Sequence, residues 1–561
     1  MPEAGDHFGP VKMDLFRILA FGQVCLFFLR VYGQPGLVAV SLKRIPAVMP
    51  GVVFIISGAL SLVPALAGHG KPLALLDGML AGGLFLVLVG TGTSGLAVEI
   101  LAINAVAAGL ASGYGLLQYS GVDLFAWSRG FAGSAPPSTY GNPLFLADGL
   151  ASALPIAVAG TFSGRRKIRL GSLALSLILF AGLLVSQARG AWAGAIVGLA
   201  VLSWVIWRES RNRRIWFGAL GTGLAVIVLG AVVLRPPAPG GDAVFQKAHA
   251  LLEQGGAGFR GRFLLWESTA LLARDNPVLG AGLGEFPGHY NLYQGPLLSS
   301  PRYTGLEYHS TGHAHQDYLQ MVAESGIVGL GIFLWLVVAV MAGFIRDFRM
   351  EDGSWNTGRA AALAGLLVLL VDAFFNGPLH LPPSAQLAWL LLGMSCGLPG
   401  RDAGWRPPYS HRRTPPALIF LVGLVAVLVA RPFARDLVGE VYMRDAQMAM
   451  EINLPEEALG GAIDSFALSI EDRRHRFLLG RAYYLAGRYD DSAEQFALDA
   501  LENPGMASAW HNLGLSLLQV GRAGPAVQAF KRAAVLDPTD SSLPGLIKSA
   551  QKALLTGKKG H

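Results

Sequence analysis

Three stretches of the chain carry residue types that could do chemistry. Arg189 lies in Ser186-Gln187-Ala188-Arg189-Gly190-Ala191-Trp192, between two apolar runs. A guanidinium presents a rigid planar fork of N–H donors that matches a phosphate or diphosphate. An arginine at the rim of an apolar run also serves as a snorkelling anchor, so both roles stand. Arg262 sits in Gly261-Arg262-Phe263-Leu264-Leu265-Trp266-Glu267. This stretch begins an expected helix ending near Asp275-Asn276-Pro277. An arginine close to a helix start adds its charge to the backbone dipole and favours an anion; a salt bridge with Glu267 is the plainer role. The third stretch is His313-Ala314-His315-Gln316-Asp317-Tyr318-Leu319-Gln320, followed by Glu324-Ser325-Gly326. Histidine titrates near neutrality and can take the proton of a hydroxyl nucleophile, with Asp317 or Glu324 orienting it. Capping or interface packing would need nothing more.

Other chemistry is disfavoured. His309 and His313 are four apart, but Ser310, Thr311 and Gly312 between them argue against a shared helix face, and no HExxH-type motif occurs. No metal site or cofactor is expected. Gly280-x-Gly282-x-Gly284 lacks the spacing and the βαβ context of a dinucleotide loop. Tyr140-Gly141-Asn142-Pro143, with Asp148 soon after, and Asn376-Gly377-Pro378-Leu379-His380 read as helix entry and turn chemistry that could also touch a substrate. Asp372 lies in an apolar stretch and is expected to face a bundle interior beside an arginine.

The elements that must position these residues are read from composition. The chain has 561 residues, 52% hydrophobic and 14% charged, against about 25% charged in soluble domains. Charges at a bilayer centre cost at least ~2.5–3.5 kcal/mol, so the deficit points to lipid. The net charge of +7 is therefore not taken as nucleic-acid binding. Cys25 and Cys396 both fall in apolar runs and say nothing firm about redox compartment. The N-terminal run carries Arg17 and lacks an Ala-x-Ala site, so no cleaved signal is expected.

Roughly 20 apolar residues cross a bilayer. About twelve spans are expected, near 14–31, 46–67, 73–90, 95–117, 144–161, 169–186, 190–207, 215–234, 320–345, 359–375, 384–398 and 416–432. The connections with Lys43-Arg44, Arg165-Arg166-Lys167, Arg208 to Arg214, Arg346 with Arg349, and Arg401 to Arg413 all fall on one side, the cytoplasmic one by the positive-inside rule. The loops 118–143, 235–319 and 376–383, the turn at Arg189 and the tail then face outward, as does the N-terminus by the same count.

From about residue 440 the composition turns soluble and helical, with a repeat of about 34 residues, the tetratricopeptide period. Gly480 matches Gly514, Phe496 matches Phe530 and Pro504 matches Pro538; Ser492 replaces the usual Ala. A degenerate helix pair is expected at 440–470. Such repeats either dock on the membrane part or bind a protein partner. The expected division is a membrane domain, 1–437, and a repeat domain, 438–561.

Taken together, the chain resembles the O-antigen ligase/polymerase superfamily. The resemblance rests on Asn142-Pro143, Ser-x-x-Arg-Gly ending at Gly190, Arg262-Phe263-x-x-Trp266, Asp275-Asn276-Pro277-Val278-Leu279-Gly280-Ala281-Gly282, and His315-Gln316-Asp317-Tyr318-Leu319-Gln320 with Glu324-Ser325-Gly326. It implies an all-α, polytopic C-type glycosyltransferase fold, inserted in the bacterial inner membrane, with its large loop in the periplasm and an α-solenoid tail. It implies an undecaprenyl-diphosphate-linked glycan donor and no nucleotide sugar or metal. It maps the essential arginines onto Arg189 and Arg262 and the essential histidine onto His315, with Asn142, Trp266, Asp317, Tyr318 and Glu324 as further substrate-binding candidates. The acceptor stays open among a lipid A core (lipopolysaccharide biosynthesis), a growing polysaccharide and a protein. A polymerase is the nearest alternative. A transporter or scaffold is the alternative from another class, and interior charges at midplane are too few to favour a transporter. The extra span 416–432 and the repeats depart from a simple ligase, and the chain reads one span short before the loop.

Overall fold

The structure, a computed structural model, describes residues 94–123, 133–209, 255–348, 357–395, 415–469 and 472–557, with residues 49 and 53 besides. Among these every regular element is helical. The expected spans at 14–31, 46–67, 73–90 and 215–234, and both cysteines, lie outside the described residues. Helix α1 is Ser94–Tyr119, α2 Pro143–Gly160, α3 Arg166–Ser186 and α4 Arg189–Glu209; α5 is Gly255–Asp275, and α6 and α7 are the short Phe286–His289 and Asn291–Leu298. Then follow α8 (Asp317–Phe348), α9 (Thr357–Asp372), α10 (Pro382–Ser395) and α11 (Pro416–Glu451). The tail holds α12 (Pro455–Leu468), α13 (Asp472–Leu485), α14 (Tyr489–Glu502), α15 (Ala507–Gln519), α16 (Ala523–Leu536) and α17 (Leu543–Gly557). Among the described residues five stretches are long and apolar enough to cross a membrane: Leu101–Tyr119, Pro143–Gly160, Arg166–Val185, Arg189–Trp207 and Asp317–Ile345. Each falls on an expected span, and the chain is a multi-pass membrane protein.

Helix α9 is the hub of the membrane part. Nearly all of its side chains are buried, including Ala360 to Ala364, Leu366, Val368 and Leu369, as expected of a helix apolar all round. It packs on α2, α4 and α10. Lipid tails are as apolar as leucine, so close packing must hold such helices together. Helix α4 supplies it with Gly190, Gly194 and Gly198, one face at four-residue spacing. A Cβ on Gly198 would lie 2.6 Å from the Ala364 carbonyl oxygen. One on Gly194 would overlap the Val368 carbonyl oxygen, and one on Gly190 the Asp372 carboxylate. The bare backbone of α4 therefore lies directly on α9.

Helix α8 is broken. Gly326 has φ 67° and ψ −175°, so Asp317–Ser325 and the long run after it are two segments. The Asn276–Gly282 turn enters the break: Ile327 N donates to the Pro277 carbonyl at 2.9 Å, Ala281 N to the Ala323 carbonyl at 2.8 Å, and Gly282 N to the Glu324 carbonyl at 3.0 Å. Backbone groups freed by a break in an apolar setting need such partners. Gly280 has φ 73° and touches the Glu324–Ser325 peptide so closely that a side chain has no room. These two glycines are what the loose Pro-Val-Leu-Gly-Ala-Gly and Glu-Ser-Gly stretches encode.

The tail forms the expected helix pairs. The Gly480 and Gly514 backbones pack on the Phe496 and Phe530 rings, and the Ser492 hydroxyl, where Ala is usual, donates to the Gly480 carbonyl at 2.8 Å. The degenerate pair is the end of α11 with α12. Helix α11 runs unbroken over 36 residues, so the expected span 416–432 continues straight into the first repeat helix.

Gly194→Val should lower the unfolding midpoint in detergent by several degrees, an overpacking cost of about 1–3 kcal/mol. Gly171→Val, where a Cβ meets nothing within 4 Å, should leave it unchanged.

Candidate functional site

The site is assembled at one end of the bundle from four places in the chain. The first is the tight turn between α3 and α4. Gln187 closes α3 in the left-handed conformation, φ 57°, and turns the chain so that α4 opens at Arg189, whose side chain is exposed. The Trp192 indole donates back to the Leu183 carbonyl at 2.8 Å and pins the hairpin.

The second is α5. Arg262 lies seven residues inside this helix, not at its start, so the expected contribution of the helix dipole fails there; the dipole acts only within the first turn. The alternative role, an ion pair with Glu267, is not found either. Glu267 accepts from Arg302 at 3.0 Å and from the Tyr303 hydroxyl instead. The Arg262 guanidinium is half-buried and donates to the Phe375 carbonyl at 3.2 Å. Burial and the neighbouring Arg189 charge both pull its pKa down, against the pull of Asp372. Two guanidiniums that repel one another beside water form a place that an anion relieves.

The third is the segment leading into α8. His315 has φ 50°, a left-handed conformation rare for a side-chain-bearing residue. Such strain clusters at functional positions. Burial, then the Arg262 and His309 charges, lower its pKa below the usual 6.5. His313 is held neutral, pushed down to about 3 by burial and by His380 and His315. The Trp266 indole donates to the Ala314 carbonyl at 3.1 Å, and Ala314 N donates to the Gln320 side chain at 2.8 Å. Trp266 therefore holds the loop next to His315. Tyr318 donates to the Leu370 carbonyl at 2.6 Å, tying α8 to α9. Asn142 caps α2, accepting from Leu144 N at 2.8 Å.

The fourth is the turn 373–381 between α9 and α10, which joins the other three. Asp317 N donates to the Ala373 carbonyl at 2.9 Å, and the buried Asp317 carboxylate accepts from Leu379 N at 2.7 Å and from His380 Nδ1. The other ring nitrogen of His380 stands 3.8 Å from the Glu324 carboxylate. Asp317 and Glu324 thus hold His380, not His315 as expected. His380 was named only as part of a turn that could touch a substrate; that it is the histidine held by both acids had no signal in the sequence. Asp372 is buried, accepts from the Asn376 amide at 2.7 Å and meets the Asp148 carboxyl, which also accepts from Ser384 at 3.3 Å. Its expected arginine is Arg262, acting through space rather than by contact. Among the described residues no group of three or more His, Cys, Asp or Glu is arranged to hold a metal ion.

Burial opposes charging of His380, but Asp317 and Glu324 outweigh it and hold its pKa above 6.5. A histidine with a raised folded pKa contributes stability that is complete below its unfolded value, about 6.5, and is lost as pH rises through the folded value. The unfolding midpoint should therefore fall as pH is raised above 6.5, and His380→Gln should flatten that dependence in thermal melts.

A family model described as O-antigen ligase, Wzy_C, matches residues 174–334. The match runs from α3 into α8 and takes in Arg189, Arg262 and His315, but stops short of His380. No curated protein matches the chain. Among solved structures, the NMR structure of the first TPR domain of the human RPAP3 protein is similar at 12% identity, covering 22% of this chain and 97% of that one, with a TM-score of 0.21. Residues 174–334 thus match the O-antigen ligase family model, in agreement with the resemblance drawn from the motifs.

Proposed function

We propose that the protein transfers a glycan from undecaprenyl diphosphate to an acceptor hydroxyl at the periplasmic face of the inner membrane. What supports this is the electrostatic environment of Arg262, whose pKa burial and then the Arg189 charge pull down, a repulsion between two guanidiniums that a diphosphate would relieve. His315 lies within the field of Arg262 on a strained loop, and its lowered pKa keeps it neutral and able to accept a proton. The side of the membrane follows from the distribution of Lys and Arg over the short loops.

In the step itself, His315 takes the proton of the acceptor hydroxyl as its oxygen attacks the anomeric carbon. The new glycosidic C–O bond forms while the C–O bond to the diphosphate breaks, and the electron pair leaves with undecaprenyl diphosphate. Arg189 and Arg262 stabilise the charge that builds on the leaving oxygens. A single displacement inverts the anomeric configuration. Asp317, His380 and Glu324 hold the half-helix behind His315. Trp266 supports its loop. The lipid tail lies along the spanning helices.

Purified protein with lipid-linked glycan and an acceptor tests this. Arg189→Ala and Arg262→Ala should each lower kcat by about 10²–10³, the scale of losing one charge-stabilising donor. His315→Ala should cost about 10²–10⁴, the scale of general-base catalysis. Wild-type rates in all three correctly folded variants would refute the scheme. The lowered His315 pKa also places the acid limb of the kcat/KM profile below 6.5. Activity should hold as pH falls past 6.5 and disappear only as the ring takes a proton.

A further inference from the structure

The tetratricopeptide tail rests on the loop that carries His315. Gly505 N donates to the Gly288 carbonyl at 3.1 Å. Tyr308 N donates to the Thr539 hydroxyl at 3.1 Å, and the Tyr308 hydroxyl to the Gly505 carbonyl at 3.3 Å. The Ser310 hydroxyl points to the Met506 sulfur at 3.8 Å. The two surfaces meet backbone to backbone because glycines stand on both sides. A Cβ on Gly295 of α7 would lie 2.6 Å from the Leu536 carbonyl oxygen, and one on Gly505 would lie 2.8 Å from the Gly288 carbonyl oxygen.

From this contact a short chain of hydrogen bonds leads to residues 309–311, the segment just before His315. The face of α6 and α7 that the tail covers also holds the far side of the loop. Tyr290 donates to the His309 carbonyl at 2.9 Å and accepts from Thr311 N at 2.6 Å. Gln294 exchanges two bonds with the His309 backbone, at 3.0 and 3.3 Å. Asn291 donates to the Ser310 hydroxyl at 3.3 Å. Tyr290, Asn291 and Gln294 are all buried. Residues 308–311 are thus held between the tail and α6–α7, four residues before a histidine in a conformation that its own backbone does not favour.

We propose that the tail is a clamp whose grip on residues 288–310 sets the position of His315, so that Thr539, Gly505 and Tyr308 are positioning residues for the transfer step. The proposal rests on the role given to His315 above. A loop fixed from both faces keeps a strained residue in place at no cost during the reaction, and a displacement of about 1 Å at a reacting group costs up to about 10²-fold in rate.

The test uses the full chain in detergent or nanodiscs. Gly505→Leu drives a side chain into the contact. It should speed amide hydrogen exchange at residues 309–316 and lower kcat by about 10- to 100-fold with the KM for the lipid-linked donor unchanged. Thr539→Val removes the acceptor for Tyr308 N, together with the hydroxyl's own bond to Asp537 at 2.6 Å, and should show the same split more weakly, while Thr539→Ser keeps both bonds and restores wild-type behaviour; this pair serves if Gly505→Leu fails to fold. Unchanged exchange at 309–316 in the variants overturns the clamp. Faster exchange with wild-type kcat overturns it as well, because the loop would then be loosened without moving His315. Wild-type protein that transfers no glycan would instead sink the proposed function, and the exchange data alone would then judge the clamp.

Discussion

The structure depends on an intrusion: the turn 276–282 enters the break in α8 at Gly326 and takes up the backbone groups that the break frees. A helix at the edge of a membrane cannot leave N–H and C=O groups unmet, so the break exists only because this turn fills it. The fit allows no side chain at Gly280 or Gly326. One consequence is direction. The segment Asp317–Ser325 is freed from the line of the long spanning helix and presents Asp317 and Glu324 to the turn 373–381. A second consequence is anchorage, since the loop that contains Arg262 is tied by its own end to the helix that follows His315.

Charge is distributed around that frame in a consistent way. Carboxylates lie inside: Asp317 and Glu324 on His380, Asp372 with Asp148 and Asn376. Guanidiniums lie at the surface above them, with Arg189 exposed and Arg262 half-buried. The turn 373–381 stands between the layers and offers a carbonyl to Arg262 and the Leu379 backbone N–H and His380 ring to Asp317. The bare face of α4 brings Gly190, next to Arg189 in the chain, against Asp372 and Asn376. The same small-residue packing that joins α4 to α9 therefore also brings the first arginine to the site. Outside the bundle, the repeats do not hang free: their glycine-bearing edge meets the loop helices.

Much of this was legible in the residues. The hairpin at Arg189 follows from two apolar runs separated by three residues, the repeat helices follow from a 34-residue period, and five spans are marked by length and composition alone. Arg189 stood out because a charge beside apolar runs needs a reason, Arg262 as a cation expected near a helix start, and His315 through the resemblance to a known family. These are local signals, carried by neighbours along the chain.

What sequence could not decide was which groups meet across it. Asp317 and Glu324 were expected on His315, two residues and nine residues away; the fold gives them to His380, more than fifty residues on. Glu267 was the alternative partner weighed for Arg262 and pairs with Arg302. Arg262 was expected at a helix start and lies well within α5. The chain by itself determined helices, their apolar faces, the repeat and the residues with chemistry to offer, because periodicity and composition are properties of short stretches. Only the tertiary structure decided the pairings of the buried charges and the seating of the tail, because hydrogen bonds and ion pairs act over a few ångströms in space and are indifferent to distance along the chain.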